Sequence, residues 1–357
     1  MDYVYKFPVV KGIQASREYY IAMVPLKMIE RLFPSDDEYV APEFRAQRRL
    51  NISRIPVISR YIIENRDSYV FSALAASIDG DFKFIESEQM NNTGILEVSM
   101  DAKFLINDGQ HRQAAILEAL KEDESLKDET ISIVFYNDLG LKRSQQIFTD
   151  LNKHAVKTSN SISELYDSRD ELAKLTRNVV CKVSFLDQYT DKEKDNLGKY
   201  SSKLFTLNNF YNANQKIVHS AKPNEKDHQF VLNFWRLVAK YMPQWNELER
   251  NEITKVILRQ DYIATQNVVL QALGRVGGYL YFHPEIDLEE KMMKLENVDW
   301  MRSAPCWKER IINENGKIIT NQKAIILAGN TIKQYLGIDL SEDEMKKESK
   351  FIEKKSS

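Results

Sequence analysis

Along the first 24 residues apolar and polar side chains alternate in two runs, YVYKFPVV and REYYIAMV, separated by KGIQAS. A period of two marks a strand with one buried face, and the turn-forming residues between the runs predict a hairpin with Gly12 in its connection. From residue 25 to about 64 the spacing becomes helical, with Ile55, Ile58 and Ile62 on one stripe and Pro56 placed to open a helix, so two or three helices fit here. Strand-like runs return at 69–77, 82–86, 96–99, 104–106 and 131–136, the last two followed by helical spacing. After about residue 161 strand patterns nearly vanish. Helical periodicity covers 162–180, 207–218, 229–241, 252–281 and 321–335, joined by short polar connections. The pattern predicts an α+β chain with a mixed sheet and helices over 1–160, a mostly helical segment over 161–340 and a flexible charged tail over 341–357. Residues 191–203, charged and turn-rich, are the best internal linker.

Composition narrows the function classes. At 357 residues and 43% hydrophobic content the chain can bury a sizeable core. A net charge of −2 supplies no global positive field, so any contact with nucleic acid needs a local basic face. The two cysteines, Cys181 and Cys306, lie far apart without ligand spacing, which argues against a zinc site or a disulfide framework. The start, MDYVYKFPVV, lacks a secretory pattern, and no apolar run approaches the roughly 18 residues of a membrane span. A cytoplasmic protein with no membrane contact is expected.

Three groups could carry chemistry. FLINDGQHRQAA at 104–115 reads as a strand, a one-glycine turn and a helix start. Such a start leaves backbone N–H groups without partners and carries partial positive charge, so it suits a phosphate. Asp108, Gly109, Gln110, His111 and Arg112 are the candidate phosphate or nucleotide residues; Arg112 offers a planar fork, while Asp108 could orient it, hold a metal-bound water or simply cap the helix. Second, Arg45, Arg48, Arg49, Arg54, Arg60 and Arg66 occupy 42–70 without a lysine, a choice that suits bidentate phosphate or carboxylate recognition, with structural ion pairs or an exposed face as the alternative. Third, a helix over 141–156 would bury Ile147, Leu151 and Ala155 and present Arg143, Asp150, Lys153, His154 and Lys157 oppositely, with Asn152 between the faces. Arg45, Arg48, Arg49, Arg54, Arg143, Asn152, Lys153 and Lys157 are accordingly the candidate DNA contacts. No metal site is predicted, no Walker-type loop is present, and GRVGG at 274–278 reads as close helix packing or a helix end. Phe205, Leu207 and Phe210 read as core.

At DGQHR the chain resembles the DGQHR-domain family and, within it, the DndB group associated with DNA sulfur modification. The resemblance also rests on GIQASREYYIAMVP at 12–25, RRLNISRIPVISRYI at 48–62 and IFTDLNKHAVK at 147–157. It implies a protein encoded beside the machinery that replaces a non-bridging phosphate oxygen of DNA with sulfur, acting as a negative transcriptional regulator of those genes. The turn is also similar to that of the ParB and sulfiredoxin superfamily, which implies a related N-terminal fold and a nucleotide, ATP or CTP, as candidate ligand. Gln110 stands where sulfiredoxin has its cysteine, so sulfinic-acid reduction is not expected. The implied partners are promoter DNA, other sulfur-modification proteins and a second copy of the chain. The alternatives are a nucleotide hydrolase or nuclease using Asp108 and His111, with Arg112 stabilising developing charge, and an accessory protein that recruits the modification complex.

Overall fold

In the computed structural model the described residues are 3–34, 51–137, 146–147, 150–151, 158–198, 201–220 and 222–356. They form two units, Met1–Val156 and Lys157–Ser357. Seven strands make one sheet in the first: β1 (Val4–Gln14), β2 (Arg17–Pro25), β3 (Leu74–Asp79), β4 (Phe82–Glu86), β5 (Thr93–Ser99), β6 (Lys103–Asp108) and β7 (Thr130–Asn137). Their order is β4-β5-β1-β2-β7-β3-β6. All neighbours are antiparallel except β3 and β7, so the sheet is mixed.

The period-two pattern becomes the pleat directly. Phe7, Val9, Tyr20, Ala22, Ile133 and Phe135 face the core, where they meet Ile62 of helix α1 (Ile55–Glu64) and Ile116 and Ala119 of helix α2 (Gln110–Glu122). The hairpin connection lies beyond Gly12, at Ala15 and Ser16, both left-handed with φ of 49° and 61°. Gly12 sits inside β1 opposite Tyr19, and a Cβ there would fall 2.4 Å from the Tyr19 ring. Its need for glycine comes from close approach, which turn-based reasoning misplaced into the connection.

The run expected as a strand over 69–77 pairs only from Leu74. Upstream, Tyr69 and Phe71 pack edge to face at 5.7 Å, and the Ser72 and Ala73 carbonyls accept from Arg112, which takes these residues out of the ladder. β3 itself is buried from Leu74 to Ile78, between β7 and β6. Of the predicted 141–156 helix, the described residues show Ile147 buried and Leu151 40% exposed, so Leu151 is not the core position expected.

The second unit is helical, with one short parallel pair, β8 (Thr190–Asp191) and β9 (Phe205–Thr206). Its longer helices are α3 (Asn160–Tyr166), α4 (Glu171–Lys182), α5 (Leu207–Ile217), α6 (Glu225–Tyr241), α7 (Asn267–Phe282), α8 (Gln322–Tyr335) and α9 (Glu342–Ser356). Two predicted helices are each split. Asp170 caps α4 by accepting from the Ala173 N–H, which breaks 162–180; Ile263 N–H bonds the Trp300 carbonyl, which breaks 252–281. Gly274 and Gly278 lie inside α7, where added Cβ atoms would fall 2.4 Å from the Ala213 carbonyl oxygen and 2.3 Å from that of Lys216. That is the close packing of α7 on α5 expected of GRVGG. Phe205, Leu207 and Phe210 are core residues, as expected.

Two connections differ from expectation. In the linker candidate 191–203, Asp195 accepts from the Asn160 and Ser161 N–H groups at 2.8 and 2.9 Å, which ties it to the start of α3. Residues 342–356, within the tail expected to be flexible, as a frayed helix or disordered, form helix α9, whose Glu344, Glu348 and Phe351 are buried. Charge density suggested a solvated segment, whereas these carboxylates meet buried cations.

Candidate functional site

The DGQHR residues occupy the junction of β6 and α2. Asp108 ends the strand, Gly109 is the N-cap in the left-handed region at φ 103°, and Gln110 begins the helix. An L side chain is strained at that angle, and a Cβ at Gly109 would lie 2.4 Å from Leu74 Cδ2 and 3.3 Å from the Arg112 guanidinium. Glycine is therefore required by backbone angle and by space together. It supplies no side-chain oxygen, so α2 starts without a side-chain cap. Its opening N–H groups and positive dipole end remain the local anion-attracting feature.

Asp108 orients Arg112, one of the roles the sequence left open for that carboxylate, and the rest of the fork meets partners the sequence did not suggest. One terminal nitrogen, Nη1, donates to the Ser72 carbonyl (2.6 Å), the Ser72 hydroxyl (2.5 Å) and the Ala73 carbonyl (2.8 Å). The other, Nη2, bonds Asp108 Oδ2 at 2.7 Å. With 17% of its side chain exposed, the guanidinium is a clamp that fastens the entry of β3 to the turn. The fork expected to hold phosphate is already filled by carbonyl, hydroxyl and carboxylate oxygens. Asp108, with 45% of its side chain exposed, is correspondingly ion-paired.

His111 Nε2 accepts from the Asn51 N–H at 3.0 Å. Acceptance requires a lone pair, so the imidazole is neutral with its proton on Nδ1. Burial, and then the nearby Arg54 charge, hold its pKa below the usual 6.5. Asn51 also caps the 3-10 turn Ile52–Arg54, its Oδ1 accepting from the Ser53 N–H, and this turn leads straight into α1. Arg54 is thereby brought beside the start of α2, as an exposed cation with no ion pair among the described residues.

The rest of the arginine group separates by role. Arg66 bonds Asp123 at 3.1 Å and Glu129 at 2.5 Å and reaches Ser125, joining the end of α1 to the segment before β7. Tyr69 also bonds Glu129, and burial followed by that bond raises its hydroxyl pKa to about 12. Among the described residues, the ion pair of Arg60 is an exposed contact with Glu64 at 3.8 Å, of the kind worth about 0–1 kcal/mol. Arg45, Arg48, Arg49, Arg143, Asn152, Lys153 and Lys157 lie outside the described residues. The structure thus brings Arg54 to the DGQHR turn and assigns Arg66 to structure. Sequence reasoning missed Asn51, Ser72 and Ala73. Asn-Ile-Ser was readable as a cap, but main-chain carbonyls 39 and 40 residues from Arg112 leave no sequence signal.

Among the described residues no cluster of three or more His, Cys, Asp or Glu side chains could hold a metal, and no helix is long and apolar enough to cross a membrane. A family model named DndB, described as DNA-sulfur modification-associated, matches residues 7–339. Searches of curated proteins and of solved structures return no match.

Proposed function

From the premise that this chain belongs to the DndB family, described as DNA-sulfur modification-associated, we propose that it binds DNA and represses transcription of the modification genes. The observation that carries this reading is the family match over nearly the whole chain. The supporting geometry is the exposed Arg54 beside the uncapped start of α2, two elements that favour a phosphate oxygen at one place. Lys and Arg groups on such a face release counterions when they neutralise phosphates, so binding would weaken as salt rises. A soluble, cytoplasmic protein acting on promoter DNA fits this role, as does a dimer on a two-fold operator.

A nucleotide hydrolase or nuclease at the same turn gains no support from these side chains. Asp108 is held by Arg112, and the His111 lone pair is taken by Asn51, so neither is placed as a general base. An accessory role, recruiting the other modification proteins, is the remaining alternative. Transcription from the promoter of the modification genes, measured in a purified system with and without the chain, tests the proposal. Repression that is relieved by Arg54→Ala is expected. Unchanged transcription with the intact chain would overturn it.

A further inference from the structure

Helix α9 covers a concentration of positive charge in the second unit. Lys333 of α8 bonds Glu344 Oε2 at 2.7 Å, and Arg275 of α7 bonds Glu344 Oε1 at 3.0 Å. Arg310, after the 3-10 turn Pro305–Trp307, pairs with Glu348 one turn further along α9. Asn330 joins the two acids, donating to Glu348 Oε2 at 3.1 Å and to the Glu344 carbonyl at 3.3 Å. Lys333 is 3% exposed, Glu344 5% and Glu348 7%, so these are buried charges.

The cationic side is in excess. Three cations meet two carboxylates, and a fourth cation, Lys216 of α5, lies close enough to feel the charge of Arg275. Arg275 Nε and Arg310 Nη1 are buried without a hydrogen bond among the described residues, and so are the acceptors Asn330 Oδ1 and Glu348 Oε1. Leaving buried polar groups unsatisfied is costly, and three cations against two carboxylates suit a group with more charge and more acceptor oxygens than a carboxylate. Burial lowers the Lys333 pKa against the pull of Glu344, and the Arg275 charge adds a smaller lowering.

Among the described side chains of α9, Glu344, Glu348 and Phe351 are buried. Met345 and Ile352 of α9 stay exposed at 49% and 54%, whereas Phe351 is buried, beneath the Arg310 guanidinium with its ring centre 4.5 Å away. The helix begins at Glu342, just beyond the family match that ends at residue 339. Two of the three buried side chains are carboxylates paired with cations, so an anion that reaches the cations competes directly for the groups that hold the helix.

We propose that Arg275, Arg310 and Lys333 form a phosphate-binding site that α9 closes by placing Glu344 and Glu348 where phosphate groups bind. The helix is an internal competitor: the site is available in the fraction of molecules with α9 undocked, and the apparent dissociation constant rises by the inverse of that fraction. The chemistry recognised is a phosphate dianion or diester, free or in a nucleic-acid backbone. This inference stands apart from the regulatory reading, because it concerns a change within the second unit and does not require sequence-specific binding.

Hydrogen exchange on the full chain tests it, with tripolyphosphate and a short DNA duplex of arbitrary sequence as probes. Faster exchange over 342–356 on adding a probe, with slower exchange around Arg275 and Lys333, is expected. Displacement by both probes assigns the site to phosphate in general, and displacement by duplex alone assigns it to the nucleic-acid backbone. Exchange over 342–356 unchanged by either probe overturns the proposal. The double variant Glu344→Gln, Glu348→Gln should bind tripolyphosphate or duplex about tenfold more tightly by loosening the cover. Should that variant fail to fold, Phe351→Ala keeps both carboxylates, loosens the same helix and should shift affinity in the same direction. A folded loosened variant with unchanged affinity for both probes also overturns the proposal.

Discussion

Arg112 turns its guanidinium inward and stitches the entry of β3 to the end of β6 through Ser72, Ala73 and Asp108. A charged, mostly buried group with four acceptors loses several bonds when truncated. Arg112→Ala should cost about 2–3 kcal/mol in urea denaturation, with Arg112→Lys recovering part of it, because an ammonium lacks the planar fork. In the folded fraction, DNA affinity should fall less for Arg112→Ala than for Arg54→Ala; the opposite ranking would return Arg112 to the binding face. His111 yields a pH prediction with a definite sign. Its folded pKa lies below 6.5, so its contribution to stability is present above 6.5 and is lost as pH falls through the folded value. The imidazolium can no longer accept the Asn51 N–H and repels Arg54. Protection of the amides of residues 51–54, corrected for the intrinsic pH dependence of exchange, should therefore fall as pH drops below 6.5, and His111→Gln should flatten that change.

At the scale of elements, glycines separate packing from propensity. Gly274→Ala would push a Cβ into the Ala213 carbonyl, forcing α7 away from α5 at a cost of about 1–3 kcal/mol. Gly329→Ala in α8 meets nothing nearer than 3.7 Å and should stabilise by about 0.5–1 kcal/mol. Thermal melts of the two variants should move in opposite directions. Glu164 of α3 belongs to the same scale: burial, then the charges of Asp195 and Asp170, push its pKa up to about 8. Its stabilising share is complete below the unfolded value of 4.5 and is lost as pH rises through about 8. The parent should lose more thermal stability between pH 5 and pH 8.5 than Glu164→Gln does. Strands, helices and the packing glycines of α7 were legible because periodicity and composition report burial face by face. Helix breaks at 167–170 and 262–266, the anchoring of Asp195 and the docking of α9 were not, since each depends on partners distant in sequence. Candidate-site chemistry was half legible: the turn and its glycine were visible, whereas the clamp on Arg112 required the fold.

For the molecule as a whole, a net charge of −2 makes nucleic-acid binding a matter of placement rather than total charge. The first unit places Arg54 at a helix start; the second gathers Arg275, Arg310 and Lys333 around two carboxylates of α9, Glu344 and Glu348. The most direct test of the central claim is a binding titration against duplex from upstream of the modification genes and against a scrambled duplex, at several salt concentrations. Tighter binding to the upstream duplex, weakening as salt rises, is predicted, with Arg54→Ala reducing the log–log salt slope by about 1. Equal, weak binding to both duplexes would contradict the account.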